Sequence, residues 1–172
     1  MESSNERKLE LTLCGMLPYK LNVEYKSSEQ ISRDKWIDTI NVVEMTSFYL
    51  GVNRSNVTPL LHSLDKLTEP ILEGGLIPIV ELAKIALKYK GVPDHPWELF
   101  FDGVGCGCRA RGYEINFWFE NGVFQYSYKK QNRFVDNQFQ LFEKLKEMHF
   151  NVFDIPKEMY IEKPTSNNNQ KQ

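Results

Sequence analysis

The dipeptide Asn121-Gly122 limits the fold of this chain most, because it stands between two runs of alternating aromatic residues, INFWFE and VFQYSY. Asn-Gly is the preferred sequence for a two-residue type I′ hairpin turn. A turn here also fixes the register of the aromatic pairs, which is Phe119 with Phe124, Phe117 with Tyr126 and Ile115 with Tyr128. The sequence therefore predicts a hairpin over 112–129 with one aromatic, packed face and one polar, wet face that includes Trp118.

Two helices are predicted around this hairpin. Pro78 suits the first position of a helix, and the apolar residues that follow it recur at helical spacing until Gly91 and Pro93, which gives a helix over 78–90. After the hairpin, Asn137 can cap a second helix over 137–152, which would cover the aromatic face. Its apolar positions are Leu141, Phe142, Leu145, Met148 and Val152.

The first part of the chain favours strands. Alternation at Leu21, Val23 and Tyr25 predicts one strand, and β-branched and aromatic residues predict two more over 39–45 and 48–52. Pro59 is expected to interrupt a fourth strand. We therefore expect an α+β protein with a small antiparallel module over 1–70, of which an SH3-like barrel is one form, an α+β module over 71–162 and a disordered tail over 163–172.

Charge and composition limit the classes of partner. The chain has 21 Lys and Arg against 23 Asp and Glu, a net charge of −2, which disfavours nucleic acid and acidic membrane surfaces as partners of the whole molecule. The polar start MESSNERKLE and the lack of a long apolar run predict no export signal and no membrane span, and the three cysteines, an odd number, favour reduced thiols in a bacterial or host cytosol. Aromatic residues make up 13% of the chain, which favours a homo-oligomer.

Catalytic and metal motifs are sparse. No hydrolase or metalloprotease spacing is present, so we expect a non-enzymatic protein without a cofactor. The pair Cys106 and Cys108 departs from zinc-ligand spacing. The bland interpretation is small residues in a crowded turn, and the alternative is a metal site in which this pair converges with Cys14 and His95.

The best candidate site is a basic cluster beside the glycines of GVGCGCRAR. If the hairpin pairing continues, Arg111 lies opposite Asn132 and Tyr113 opposite Lys130, which draws the basic side chains together at the open end of the hairpin. The predicted anion-binding residues are Arg109, Arg111, Lys129, Lys130, Arg133, Gly105, Gly107, Tyr113 and Trp118. Arginine binds phosphate through two parallel hydrogen bonds, and aromatic rings stack on planar groups. The alternative is a solvated charged face without a ligand.

Three stretches, LPYKLNVEY, IPIVELAKIA and FQLFEKLKEMHFNVFDI, resemble a family of uncharacterised small proteins of phages and prophages of gut bacteria. Lys20 replaces a glycine that is usual in that family, and Glu147-Met148 replaces a usual Glu-Trp. The resemblance implies an accessory protein acting in the infected cell, and it brings no catalytic residues.

Three functions follow as hypotheses. The first is counter-defence by sequestering an anionic, nucleotide-like ligand at the basic cluster. The second is docking on a host protein through Trp36, Phe48 or Tyr49, and the third is binding of single-stranded nucleic acid by stacking.

Overall fold

The structure, a computed structural model, describes residues 4–26, 35–39, 57–71, 73–87, 97–101, 105–110 and 112–163. Its helices are α1 (Ser4–Met16), α2 (Pro78–Ala86) and α3 (Gln138–Glu147). Its strands are β1 (Asn22–Lys26), β2 (Lys35–Thr39), β3 (Val57–Leu61), β4 (Trp97–Phe101), β5 (Gly105–Ala110), β6 (Ile115–Glu120), β7 (Val123–Tyr128), β8 (Gln131–Phe134) and β9 (Ile161–Glu162). The predicted α+β class is confirmed.

The chain divides into two compact units. The first contains residues 1–63 and 145–163, and the second contains 64–144 and 164–172. The sequence placed the division near residue 70 and assigned all of 71–162 to the second module. Residues 145–163 instead belong to the first unit, where β9 supplies a strand of the sheet.

The first unit is built on a four-stranded sheet in the order β2-β1-β3-β9. Strands β1, β2 and β3 are antiparallel, and β9 runs parallel to β3. The predicted strand at Leu21 to Tyr25 is confirmed as β1. The predicted strands over 39–45 and 48–52 lie outside the described residues, except for Thr39 at the end of β2.

Helix α1 was not predicted, because the start of the chain was interpreted from its polarity alone. Its apolar positions nevertheless follow a helical period, and Leu9, Leu13 and Met16 are buried on one face. These three residues form a core with residues of the sheet and the C-terminal segment. The other members are Leu21, Val23, Val57, Leu61, Ile155 and Tyr160.

Pro59 does not interrupt a strand, contrary to the prediction. It lies inside β3 and pairs with Val23 of β1. The pairing of β3 with β9 begins one residue later, at Leu60, so Pro59 has a ladder partner on one side only. A strand position paired on one side tolerates the missing N–H group of proline.

The second unit contains a five-stranded antiparallel sheet in the order β4-β5-β6-β7-β8. The predicted hairpin register is confirmed residue by residue across β6 and β7. Asn121 and Gly122 both have positive φ angles, 50° and 77°, as a type I′ turn requires. Phe124 stacks on Phe117 with ring centroids 5.6 Å apart, and the ring of Phe142 from α3 meets Phe124 edge-on at 5.7 Å.

The hairpin does not continue as predicted beyond residue 128. The chain turns at Lys129 and Lys130, which have φ angles of 48° and 63°, and β8 returns along β7. Asn132 consequently pairs with Ser127, and Tyr113 lies in a turn. The two predicted strands are thus the β6 and β7 of a larger sheet, and the predicted pairing of the basic residues is wrong.

The predicted helices are shorter than expected. Helix α2 covers 78–86 of the predicted 78–90, and residues 88–90 lie outside the described range. Helix α3 ends at Glu147 rather than 152, because His149 adopts a φ of 61°. Asn137 does not cap α3 with its side-chain oxygen, since the buried Oδ1 atom has no hydrogen-bond partner among the residues that the structure describes. Instead the Gln138 side chain accepts a hydrogen bond from the Phe124 N–H at 3.0 Å and donates one to the Phe124 carbonyl. Phe124 lies just before Gln125, the first β7 residue that pairs with β8, so Gln138 pairs with β7 where β8 has ended.

Candidate functional site

The two faces of the five-stranded sheet carry different side chains. One face holds the aromatic core described above. The opposite face, called the open face from here on, presents two adjacent cross-strand rows. These rows are Glu98, Arg109, Asn116, Ser127 and Asn132, and next to them Phe100, Gly107, Trp118, Gln125 and Phe134. A polar row therefore runs beside a row with three aromatic rings.

A hollow of about 550 Å³ lies on the open face. It is lined by Phe100, Phe101, Arg109, Asn116, Trp118, Ser127 and Asn132. A second hollow of about 470 Å³ lies towards the β5–β6 turn, and Arg109 and Asn116 line both. The exposed Arg109 guanidinium is thus the cation that both hollows share.

Aromatic rings define the shape of the larger hollow. The Arg109 guanidinium lies 5.7 Å from the centroid of the Phe100 ring, a cation–π distance. The Trp118 indole donates a hydrogen bond to Glu120 Oε2 at 3.3 Å, which holds the ring in one orientation. Between these rings, Gly107 leaves no room for a side chain, since a Cβ atom there would lie 2.5 Å from Phe100 Cζ and 2.7 Å from Trp118 Cβ. Gly107 therefore lets the two rings approach across β5.

Polar groups beside the rings are held in place. The Asn116 amide donates from Nδ2 to Ser127 Oγ at 2.8 Å, across the β6–β7 ladder. Such a preorganised amide can recognise the polar edge of a planar ligand. Glu98 and Glu120 also occupy positions on the open face, so among its described residues two carboxylates stand against the one guanidinium of Arg109. This balance is unfavourable for a polyanion.

The structure separates the basic residues that the sequence grouped together. Lys129 and Lys130 lie in the β7–β8 turn, whereas Tyr113 lies in the β5–β6 turn. A hydrogen bond from the Lys129 N–H to the Glu114 carbonyl at 3.3 Å joins the two turns. Arg133 pairs with Tyr126 and therefore belongs to the face opposite Arg109. Arg111 lies outside the described residues. Of the predicted side chains, Arg109 and Trp118 line the larger hollow.

The predicted glycines lie in a strand rather than in a loop. Gly105 and Gly107 belong to β5, which pairs with β6 along its whole length and with β4 at Gly107. Their N–H groups are thus part of a β-ladder and are not a free anion-binding loop. A Cβ atom at Gly105 would lie 2.8 Å from the Phe119 carbonyl oxygen, so close strand packing accounts for this glycine as well.

The cysteines of GVGCGC face the core. Cys106 and Cys108 are buried in β5, and the Cys108 thiol contacts the Ile79 carbonyl oxygen at 3.8 Å. Burial raises the pKa of the Cys108 thiol, which opposes the thiolate form that binds metals. Cys14 lies in α1 of the first unit, and His95 is outside the described residues. Among the residues that the structure describes, no three His, Cys, Asp or Glu side chains form a group that could hold a metal ion.

Sequence reasoning missed part of the open face. Asn116 and Ser127 were assigned to the wet side of the hairpin but not to a site, although the Asn-Gly turn already placed them opposite each other. Asn132 could not be assigned, because no local turn signal marks the return of β8. Phe100 was missed although Asp102-Gly103, a hairpin-turn sequence, stands between Phe101 and Gly105.

No protein-family model matches this chain, and neither a curated protein nor a solved structure matches it. In the ranges that the structure describes, no helix has the length and apolar character to cross a membrane.

Proposed function

We propose that this protein is a non-enzymatic binding protein that holds a small, planar, anionic ligand of the nucleotide type on the open face. The observation that carries the proposal is that Arg109, Asn116 and Trp118 line one hollow. Together they offer an anion-binding guanidinium, a fixed amide and an indole.

The size of the hollow agrees with a small molecule. Ligand sites in proteins commonly enclose about 300–1,000 Å³, and the hollow has about 550 Å³. A base-like ring on Trp118 would leave the polar row, with Asn116, Ser127 and Asn132, to contact the ring edge or a sugar. The phosphate would then meet Arg109.

Charge favours one phosphate over many. Among the open-face residues that the structure describes, Arg109 supplies one guanidinium, which matches a ligand with a single negative charge, such as a phosphodiester of mononucleotide size. Glu98 and Glu120 would repel the successive phosphates of a nucleic-acid strand. This argument supports the nucleotide-like ligand over the single-stranded nucleic acid that the sequence left as an alternative.

The biological role that we propose with this binding is counter-defence, in which the protein removes a nucleotide signal from the cytoplasm of an infected bacterium without altering it chemically. Its support is the resemblance of the sequence to phage and prophage proteins.

Isothermal titration with mononucleotides, linear and cyclic, tests the binding. We expect a dissociation constant below roughly 1 µM for at least one of them. Arg109→Gln should weaken binding about 10- to 100-fold, the usual contribution of a hydrogen bond to a charged group.

Arg133→Gln is the matched control, because it removes the same charge from the opposite face of the sheet. Equal weakening by both variants would indicate a general charge effect and contradict a site at Arg109. Recovery of a chemically altered ligand would contradict binding without turnover.

A further inference from the structure

Three basic side chains converge in the first unit. His62 follows β3, and its backbone is fixed by a hydrogen bond from its N–H to the His149 carbonyl at 2.8 Å and by one from Asn151 N–H to its own carbonyl at 2.9 Å. Lys163 follows β9 and donates its N–H to the Leu61 carbonyl at 2.8 Å. Backbone pairing therefore brings His62, His149 and Lys163 together.

His149 occupies an unusual backbone position. Its N–H bonds the Lys146 carbonyl at 2.9 Å and the next N–H, of Phe150, bonds the Leu145 carbonyl at 2.9 Å, which is the Schellman pattern of a helix end. The residue with positive φ in this motif is usually glycine or asparagine, and here it is a histidine with φ of 61°. The chain thus places an imidazole where a smaller residue would be favoured.

Hydrogen bonds fix the tautomer of this imidazole. His149 Nε2 lies 2.9 Å from the Tyr19 carbonyl oxygen, which can only accept, so Nε2 carries the proton in the neutral ring. Nδ1 then presents a lone pair, and Lys163 Nζ lies 2.9 Å from it. The imidazole is therefore oriented as a proton acceptor for the Lys163 amine.

Lys163 differs from Lys66 and Lys84 in its partner. Lys66 and Lys84 form ion pairs with Glu69 and Glu81 at 2.6 and 3.0 Å. In the described part of the chain, no carboxylate lies within ion-pair distance of Lys163 Nζ, and the neighbouring Glu162 carboxylate accepts the Ser63 N–H at 3.0 Å. Burial lowers the pKa of Lys163, and burial also lowers the pKa of His149. The surroundings of Lys163 therefore make its neutral, nucleophilic amine easier to reach than that of an exposed lysine.

We propose that Lys163 is an acyl-acceptor lysine, which His149 assists as a base and which reacts with a small activated acyl group, an acyl phosphate or a thioester. The Nζ lone pair attacks the carbonyl carbon, and His149 Nδ1 takes the proton that Nζ releases. A C–N amide bond forms while the C–O bond to phosphate or the C–S bond to the thiol breaks, and the leaving group departs with that electron pair. Because Lys163 is partly buried, a small group such as acetyl fits best.

The test is site-resolved acetylation of the full-length protein near neutral pH with acetyl phosphate and, separately, with acetyl-coenzyme A. Mass spectrometry of peptides gives a rate for each lysine, and Lys66 and Lys84 serve as internal controls. We expect Lys163 to react at least about tenfold faster than both controls with one of the reagents, because a lower pKa leaves more of the amine in the neutral, reactive form. The faster reagent identifies the acyl source. A rate at Lys163 equal to or below that of Lys66 with both reagents would overturn the proposal.

A variant separates base assistance from simple exposure. His149→Asn keeps a residue that tolerates positive φ but removes the base. We expect the Lys163 rate to fall to that of Lys66 while the control rates stay unchanged. An unchanged Lys163 rate in a folded variant would overturn the role of His149. If the variant does not fold, the rates of all lysines rise together, and the comparison of lysines in the natural chain decides the question.

Discussion

Acidification should destabilise the first unit through His62. The side chain is 3% exposed and lies near Lys163 and His149, and within the described ranges its buried Nδ1 atom has no hydrogen-bond partner. Burial, then the charge of Lys163, then His149 lower the pKa of His62 from 6.5 to about 4. Because the folded form binds its proton less readily than the unfolded chain, stability is full above the unfolded pKa of 6.5 and falls as the pH drops towards 4.

The size of the effect follows from this shift. A change of 2.5 units, from 6.5 to about 4, corresponds to about 3 kcal/mol when complete, and to about 2 kcal/mol between pH 7 and pH 5. His149, whose pKa is also lowered, acts in the same direction. Such a loss is a large fraction of the stability of a small domain.

Urea unfolding at a series of pH values, followed by circular dichroism, measures this dependence. His62→Leu fills a similar volume and cannot titrate, so the loss between pH 7 and pH 5 should shrink by about 2 kcal/mol in this variant. A histidine NMR titration of the folded protein gives the pKa directly. A pH dependence equal in variant and natural chain, or a folded-state pKa of His62 near 6.5, would refute the reasoning.

Two further predictions concern the second unit. Gly107→Ala should lower the free energy of unfolding by about 1–3 kcal/mol, as overpacking does, because the new Cβ atom would lie 2.4 Å from the Phe117 carbonyl oxygen. A loss of less than about 0.5 kcal/mol in urea unfolding would contradict the close packing of the strands at Gly107. Phe124→Ala should cost about 3–5 kcal/mol, since its ring is fully buried. In the same assay Phe139→Ala, where the ring is 78% exposed, should change stability by less than about 0.5 kcal/mol, and similar losses for the two phenylalanines would contradict the placement of the aromatic core.

Local signals explain the parts of the fold that the sequence predicted. The Asn121-Gly122 turn determines the pairing of β6 with β7 without help from distant residues, and Pro78 marks the start of α2. The return of β8 was missed because Lys129 and Lys130 adopt positive φ without the asparagine or glycine that usually signals such a turn. The end of α3 at Glu147 was missed for the same reason, since the positive φ that follows it belongs to His149.

Long-range pairing explains most of what was missed. The addition of β9 to β3 joins residues about a hundred positions apart, and no local pattern indicates it. The candidate site also has a part that local signals predict and a part that they do not. Trp118 was assigned to the correct face from the hairpin alone. Arg133 was grouped with Arg109 because the turn at residues 129 and 130 was not recognised.

Native mass spectrometry of the protein purified from bacteria tests the central claim, that the open face holds a nucleotide-like ligand, most directly. The natural chain should carry a non-covalent mass of nucleotide size that denaturation releases unaltered. Arg109→Gln should lose this mass, and Arg133→Gln should keep it. A natural chain that carries no such mass, or a bound protein partner that survives Arg109→Gln, would contradict the account and favour docking on a host protein.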